Sequence, residues 1–262
     1  MTEVTKLSPH IPDTGFPGSW YELANEQHFW CKARQRAFMS LLATAGVQTR
    51  VPETCLEIGC GNGQVRRALE EVTDWEISGA DFCLSALQQN NTTRGRTLLY
   101  DIHDRREDMA NAFDHVILFD VLEHIDEPVR FIQSALHHLK PGGLLFINVP
   151  ALERLRSPYD TAAGHIRRYD KKMLAGEVMA AGATVELARF WGLGMVPMLL
   201  ARKWHLGDGR ELDTDEIIRS GFRPPSKIVN SVLNLYACCD HFLFPDPPLG
   251  TSLLAVIRKP QL

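Results

Sequence analysis

Residues Cys55 to Gln64 read Cys-Leu-Glu-Ile-Gly-Cys-Gly-Asn-Gly-Gln, an apolar run with a carboxylate near its end followed by glycines at 59, 61 and 63. Glycine takes positive φ at little cost and lets a ligand approach the backbone closely; three in five residues suggest both needs. A helical pattern follows through Val65, Ala68 and Leu69. The segment therefore predicts a strand, a tight turn and a helix, with the turn at the carboxyl edge of a parallel sheet, where open α/β folds bind their ligands.

The rest of the chain supports that architecture. Strand-like stretches at 54–58, 76–80, 97–100, 114–119 and 143–148 alternate with helical ones near 63–71, 84–91 and 127–139, the pattern of a parallel sheet covered on both faces. Pro141-Gly142-Gly143 reads as a tight stop between the last helix and the fifth strand. Residues 1–19 read as a loose arm, and 20–45 as a helix. Beyond Pro150 come an arginine-rich loop at 151–170, a helix at 171–181 and a strand at 184–190. An insertion follows at 191–224, with acids at Asp208, Glu211, Asp213, Asp215 and Glu216, then a helix at 225–242 and a strand at 251–258. In the last helix Ile228, Val232, Leu235/Tyr236, Cys239 and Phe242 form a stripe expected to pack on the domain.

Composition narrows the function. Apolar residues make up 45% of the 262 and charged ones 23%, enough to bury a large core. The net charge of −4 supplies no global field for nucleic acid, so no nucleic-acid partner is expected. The six cysteines lack C-x-x-C spacing and read as reduced core residues of a cytoplasmic protein, with Cys238-Cys239 as packing. The apolar stretch 190–201 is too short for a transmembrane segment, and the polar N-terminus shows no signal peptide.

Spacing separates two kinds of ligand. The dinucleotide fingerprint is G-x-G-x-x-G; here it is G-x-G-x-G, with Glu57 two residues ahead. A carboxylate there would repel a pyrophosphate but attract an ammonium group. Asp81 ends the second strand, 22 residues after Gly59, where an ionised carboxylate can accept from a ribose diol. Asp101 ends the third strand and either faces a ligand or caps the helix after it.

With these residues in place, the chain resembles the class I S-adenosylmethionine (SAM) methyltransferases, whose first motif is E/D-x-G-x-G-x-G. The stretch Phe113 to Pro128 is similar to that family's F-D-x-V-x-x-x-x-V-L-E-H-x-x-x-P, and a Leu-Lys-Pro-Gly-Gly helix end follows it. The likeness covers residues 54–150 in order and spacing. It implies a Rossmann-like, mostly parallel seven-stranded sheet with helices on both faces, in one domain spanning 1–262. Residues 1–45 would form an arm and lid helix, 46–150 the SAM-binding half, and 151–262 an acceptor-binding half with a helical cap at 191–245. The cofactor would be SAM, leaving as S-adenosylhomocysteine. Glu57, Gly59, Gly61, Gly63, Asp81, Phe82, Asp101, Ile102 and Phe119 would line its site; Asp101 would take the adenine amine and the Ile102 N–H a ring nitrogen.

Two narrower likenesses lie outside this span. Gly164-His165-Ile-Arg167-Arg168-Tyr169 resembles G-H-x-R-R-Y segments of bacterial methyltransferases of the type 11, 12 and 23 kind, some of them associated with polysaccharides or secondary metabolites. His28-Phe29-Trp30-x-x-Ala33-Arg34 resembles their first helix, so Arg34 would hold the methionine end or these side chains would serve the core. The resemblance implies a small-molecule acceptor, best read as a hydroxyl of a secondary metabolite or saccharide. Arg167, Arg168 and Tyr169 would contact it, and His165 or His124 would act as base. Asp120, Glu123, His124 and His165 are also similar to the E-x-x-E-H…H metal set of small-RNA 2′-O-methyltransferases and the E-x-x-E-H of ubiquinone O-methyltransferases, with Asp120 replacing the first Glu. That likeness implies a metal-assisted alternative. A SAM-binding or partner-binding protein without catalysis is the alternative of a different class. The apolar cap helices are suited to a homodimer.

Overall fold

The computed structural model describes residues 3–8, 10–11, 27–91, 94–206, 217 and 225–261. One eight-stranded sheet runs through them, in the order β1-β4-β3-β2-β5-β6-β8-β7. Its strands are β1 (Val4–Lys6), β2 (Thr54–Ile58), β3 (Glu76–Asp81), β4 (Thr97–Leu99), β5 (Phe113–Phe119), β6 (Leu139–Pro150), β7 (Thr184–Trp191) and β8 (Ser252–Arg258). All neighbours pair in parallel up to β6; β8 lies antiparallel between β6 and β7. The helices are α1 (Phe29–Thr44), α2 (Gln64–Glu70), α3 (Leu84–Gln88), α4 (Pro128–His138), α5 (Pro158–Ala162), α6 (Lys171–Ala180), α7 (Val196–Leu206) and α8 (Lys227–Leu243).

The central strands are apolar on both sides because helices cover both faces of the sheet. On one face α1 buries Ala33, Ala37, Phe38, Leu41 and Leu42, at helical spacing. Phe38 meets Phe119 and Phe146 edge-on, with ring centroids 4.9 and 5.2 Å apart. On the other face Phe131, Ile132 and Ala135 of α4 and Leu174 and Val178 of α6 join one core with β5, β6 and β8. β2 runs to β3 on one side and β5 lies on the other. The connections diverge at the carboxyl ends of β2 and β5, which opens the ligand crevice there.

The structure departs from the expected elements in four places. The arm is not wholly loose, because Val4–Lys6 adds to the edge of β4, giving eight strands rather than seven; three residues are too short to show alternation in sequence. Pro141-Gly142-Gly143 does not stand between helix and strand but lies inside β6, where the register against β5 shifts between Phe113 and His115. The loop at 151–170 contains α5 and a single turn at Glu153–Leu155. The apolar stripe of α8 faces outward, and Cys238 and Cys239 are exposed with it. Contact with the domain instead comes from Asn230, Leu233, Ala237 and Asp240. Helix content expected at 20–26 and the acidic run at 208–216 fall outside the described residues.

Candidate active site

The glycine turn forms as its spacing requires. Gly59, Gly61 and Gly63 have φ of 77°, 49° and 79°. A Cβ on Gly59 would lie 2.5 Å from Val121 Cγ2, and one on Gly63 2.5 Å from Asn90 Oδ1, so the turn admits no side chain at either position. Gly63 is the N-cap of α2. Asp81 braces the turn by accepting the N–H groups of Gly61 and Cys83, both at 2.8 Å.

Glu57 is buried beside this turn, and its Oε2 has no hydrogen-bond partner among the described residues. Burial raises its pKa to about 8, although Arg66 and Arg34 pull the other way. An orphaned carboxyl, a side-chain-free turn and an acid at the β3 edge together fit an amino-acid nucleoside such as SAM. Phe82 is exposed next to Asp81. Asp101 caps the turn at Ile102–Asp104 through the His103 N–H (2.8 Å), and Ile102 is buried in the core. The first segment of the chain closes this edge: Ser8 Oγ accepts the Asp101 N–H at 3.0 Å and donates to Asp104.

Arg34 pairs with Asp120, its guanidinium 5.6 Å above the Phe119 ring. Asp120 takes φ of 56° and accepts from Asn148 Nδ2 at 2.6 Å, and Asn148 Oδ1 accepts from Trp191 Nε1 at 2.9 Å. Trp191 lies 5.0 Å from Trp30, ring to ring. Helix α1, β5, β6 and β7 are thus joined through one polar chain. His28 is the N-cap of α1 and Phe29 is buried, so both serve the helix and the core.

Beyond β5, Glu123, His124 and His165 each direct one polar atom into a group whose members lie within 4.8 Å of one another. Asp120, expected as a fourth ligand, instead holds Arg34. Glu123 is fully buried, and neither of its carboxyl oxygens has a hydrogen-bond partner among the described residues. Burial, followed by the charge of Asp120, raises its pKa well above the usual range. Burial and then the neighbouring His165 ring lower the pKa of His124 to about 4. The two rings meet edge-on at 4.9 Å.

His165 is oriented by Asp160. Burial alone would raise the Asp160 pKa, but hydrogen bonds from His165 and Arg168 and the Arg168 charge hold it below the carboxylate range. Ionised, Asp160 can only accept, so His165 Nδ1–H donates to Oδ1 (3.0 Å), and Nε2 faces Glu123 Oε1 at 4.0 Å. Asp160 also accepts from Arg168 Nε (2.8 Å) and from the Ser157 N–H (2.8 Å). The sequence reading passed over Asp160, although Ser157-Pro158-x-Asp160 carries the signature of a reciprocal helix cap. Arg168 and Tyr169, expected to face an acceptor, are engaged inside the fold: Arg168 with Asp160 and the Ala151 carbonyl, Tyr169 in the core. Arg167 lies 3.6 Å from Glu177.

Comparison with known proteins identifies the family and the fold. Residues 23–188 match the profile of a family described as a methyltransferase domain, and the chain belongs to that family of SAM-dependent methyltransferases. It is 31% identical over 103 residues to a ubiquinone biosynthesis O-methyltransferase of Haemophilus ducreyi, an alignment covering 36% of this chain and 43% of that protein. The chain matches less than half the length of such curated relatives. Its fold is similar to a putative methyltransferase of Haloferax volcanii solved with the activator Trm112, with a TM-score of 0.59 at 17% identity over 93% of this chain and 95% of that one. It is also similar to Haemonchus contortus phosphoethanolamine N-methyltransferase 2 in complex with SAM, with a TM-score of 0.54 at 17% identity over 86% and 52% of the two chains.

Proposed function

We propose that the chain transfers a methyl group from SAM to a hydroxyl of a small-molecule acceptor, a secondary metabolite or saccharide, in the cytoplasm, with His165 as general base. SAM supplies the electrophilic methyl group. Glu57 and Asp81 would hold its amino and ribose ends, Phe82 would flank the base, Asp101 would take the adenine amine, and the Ile102 N–H would meet a ring nitrogen. The observation that carries the proposal is the orientation of His165: its Nδ1–H is committed to ionised Asp160, which leaves Nε2 as the proton acceptor. Arg167 is the cation nearest in sequence that could meet an acidic or polar acceptor. No described helix is long and apolar enough to cross a membrane, and the acidic balance disfavours nucleic acid.

The test is transfer from methyl-labelled SAM to a panel of phenols, catechols and saccharides. O-methylated product that falls in His165→Ala, with SAM affinity kept, supports the proposal; N- or S-methylation alone overturns it. SAM binding with no product from any acceptor class would favour the non-catalytic alternative.

The convergence of Glu123, His124 and His165 favours a second reading, in which a divalent ion lies among them and polarises the acceptor hydroxyl. In that reading Asp160 orients a metal ligand rather than a base. Turnover with and without a strong chelator separates the two: unchanged turnover removes the metal.

A further inference from the structure

Helix α8 presents an apolar face that the described residues leave uncovered. Ile228, Val232, Leu235 and Phe242 are 79, 61, 66 and 83% exposed, and Cys239 is exposed among them. Their spacing alternates between four and three residues, the period of a seam that packs against another helix. The helix is not loosely attached. Phe29 N–H donates to Asn230 Oδ1 (2.9 Å), Arg36 to Asn234 Oδ1 (2.9 Å), Gly194 N–H to Asp240 Oδ1 (2.8 Å) and Tyr236 OH to the Gly194 carbonyl (3.0 Å). These bonds fix the inner face, so the seam points outward by construction.

Three occupants differ in the chemistry they need. A helix lying on a membrane carries a lysine- and arginine-rich polar face, and α8 has Lys227 as its only cation besides His241. A foreign helix is selected by charges flanking the seam, yet residues 228–239 contain no ionised side chain. A second copy has the opposite requirement. Across a two-fold axis each seam meets itself, and any charge near the axis would face its like, so a self-pairing seam must be free of charge.

Area points the same way. With Val229 and Leu243 also exposed, the face offers on the order of 700 Å2 of apolar surface, close to the roughly 800 Å2 each partner covers in a stable dimer. That exceeds the roughly 300–600 Å2 of the largest patch on a typical monomer. We propose that the Ile228–Phe242 seam of α8 is the contact through which two copies of this chain pair across a two-fold axis. Because α8 packs on α1, and Arg34 of α1 reaches Asp120, pairing braces the lid helix from outside without adding a residue to the site.

Sedimentation of the full chain across roughly 1–100 μM tests the contact, since pairs of this size associate in that range or tighter. The wild type sediments at twice the chain mass. Leu235→Glu places a charge where it meets its own copy, and raises the dissociation constant at least ~100-fold while the far-ultraviolet circular dichroism spectrum at 25 °C is unchanged. Leu235→Ser gives the same direction and serves if the charged variant fails to fold. Met179→Glu, at an exposed position on α6 over the opposite face of the sheet, leaves the dimer intact. A wild type at the mass of one chain throughout overturns the proposal, as does a Leu235→Glu protein that remains dimeric. A monomeric wild type that cosediments with phosphatidylglycerol vesicles also overturns it and assigns the face to a lipid surface.

Discussion

Cofactor binding should release a proton from Glu57. Its pKa of about 8 reflects burial of a carboxyl without a counter-charge strong enough to ionise it, so at pH 6.5 more than roughly nine-tenths of the protein holds that proton. An ammonium beside Oε2 favours the ionised form and returns the group toward its ordinary 4.5. Binding at pH 6.5 then releases close to one proton, and affinity rises close to tenfold per pH unit over about pH 5.5–7.5. The window stays below the titration of the cofactor's own amine, near 7.7–8. Calorimetry of SAM binding at pH 6.5, in buffers of different ionisation enthalpy, reads the proton count as a slope. Glu57→Gln should bind more weakly with a slope near zero. A zero slope in the wild type, or an equal slope in Glu57→Gln, refutes the reasoning. The cofactor-free protein carries the same linkage with a defined sign. The folded state keeps the proton that the unfolded chain loses above 4.5, so this stability is fully present below 4.5 and is lost as pH rises through about 8. The loss is on the order of 5 kcal/mol, and cofactor-free melting temperatures fall over that window.

Other perturbations follow from the same geometry. Gly59→Ala costs about 1–2 kcal/mol for a left-handed backbone and about 1–3 more for overlap with Val121. In urea melts, Val121→Ala should recover only the overlap, and strict additivity of the two changes would refute the assignment. Gly61→Val should abolish SAM binding in calorimetry; retained affinity would show that the turn does not cradle the cofactor. Asn148→Ala strands Trp191 Nε1 and removes a donor from Asp120, a loss of about 2–3 kcal/mol in the same urea assay.

The fold was legible where local pattern and burial agree. β2 and β5 are short apolar runs ending at turns, and the boundaries read from sequence for β2 match the structure. Glu57, Gly59, Gly61, Gly63 and Asp81 sit together at one edge because a single strand-turn-helix unit and its neighbour carry them. Elements without a local pattern were not legible. β1 is three residues whose partner lies 93 residues away, and periodicity in α8 marks an apolar stripe without saying which way it faces. Arg168 and Tyr169 stand three and four residues after a motif histidine, yet their side chains turn inward because Asp160 and the β5–β6 core take them. Asp160 itself has its cap signature in sequence, while its hold on His165 exists only in three dimensions.

The placement of β8 between β6 and β7 bears on how the chain is made. Among the described residues β7 pairs only with β8, and the outer edge of β6 is covered only by β8. When β7 leaves the ribosome it has no strand to join until residues 192–251 have followed it. For that interval β6 exposes an unpaired apolar edge of the kind that recruits foreign strands. Synthesis of residues 192–251 is thus an interval in which this edge stands open, and a slowed or stalled ribosome between β7 and β8 lengthens the exposure.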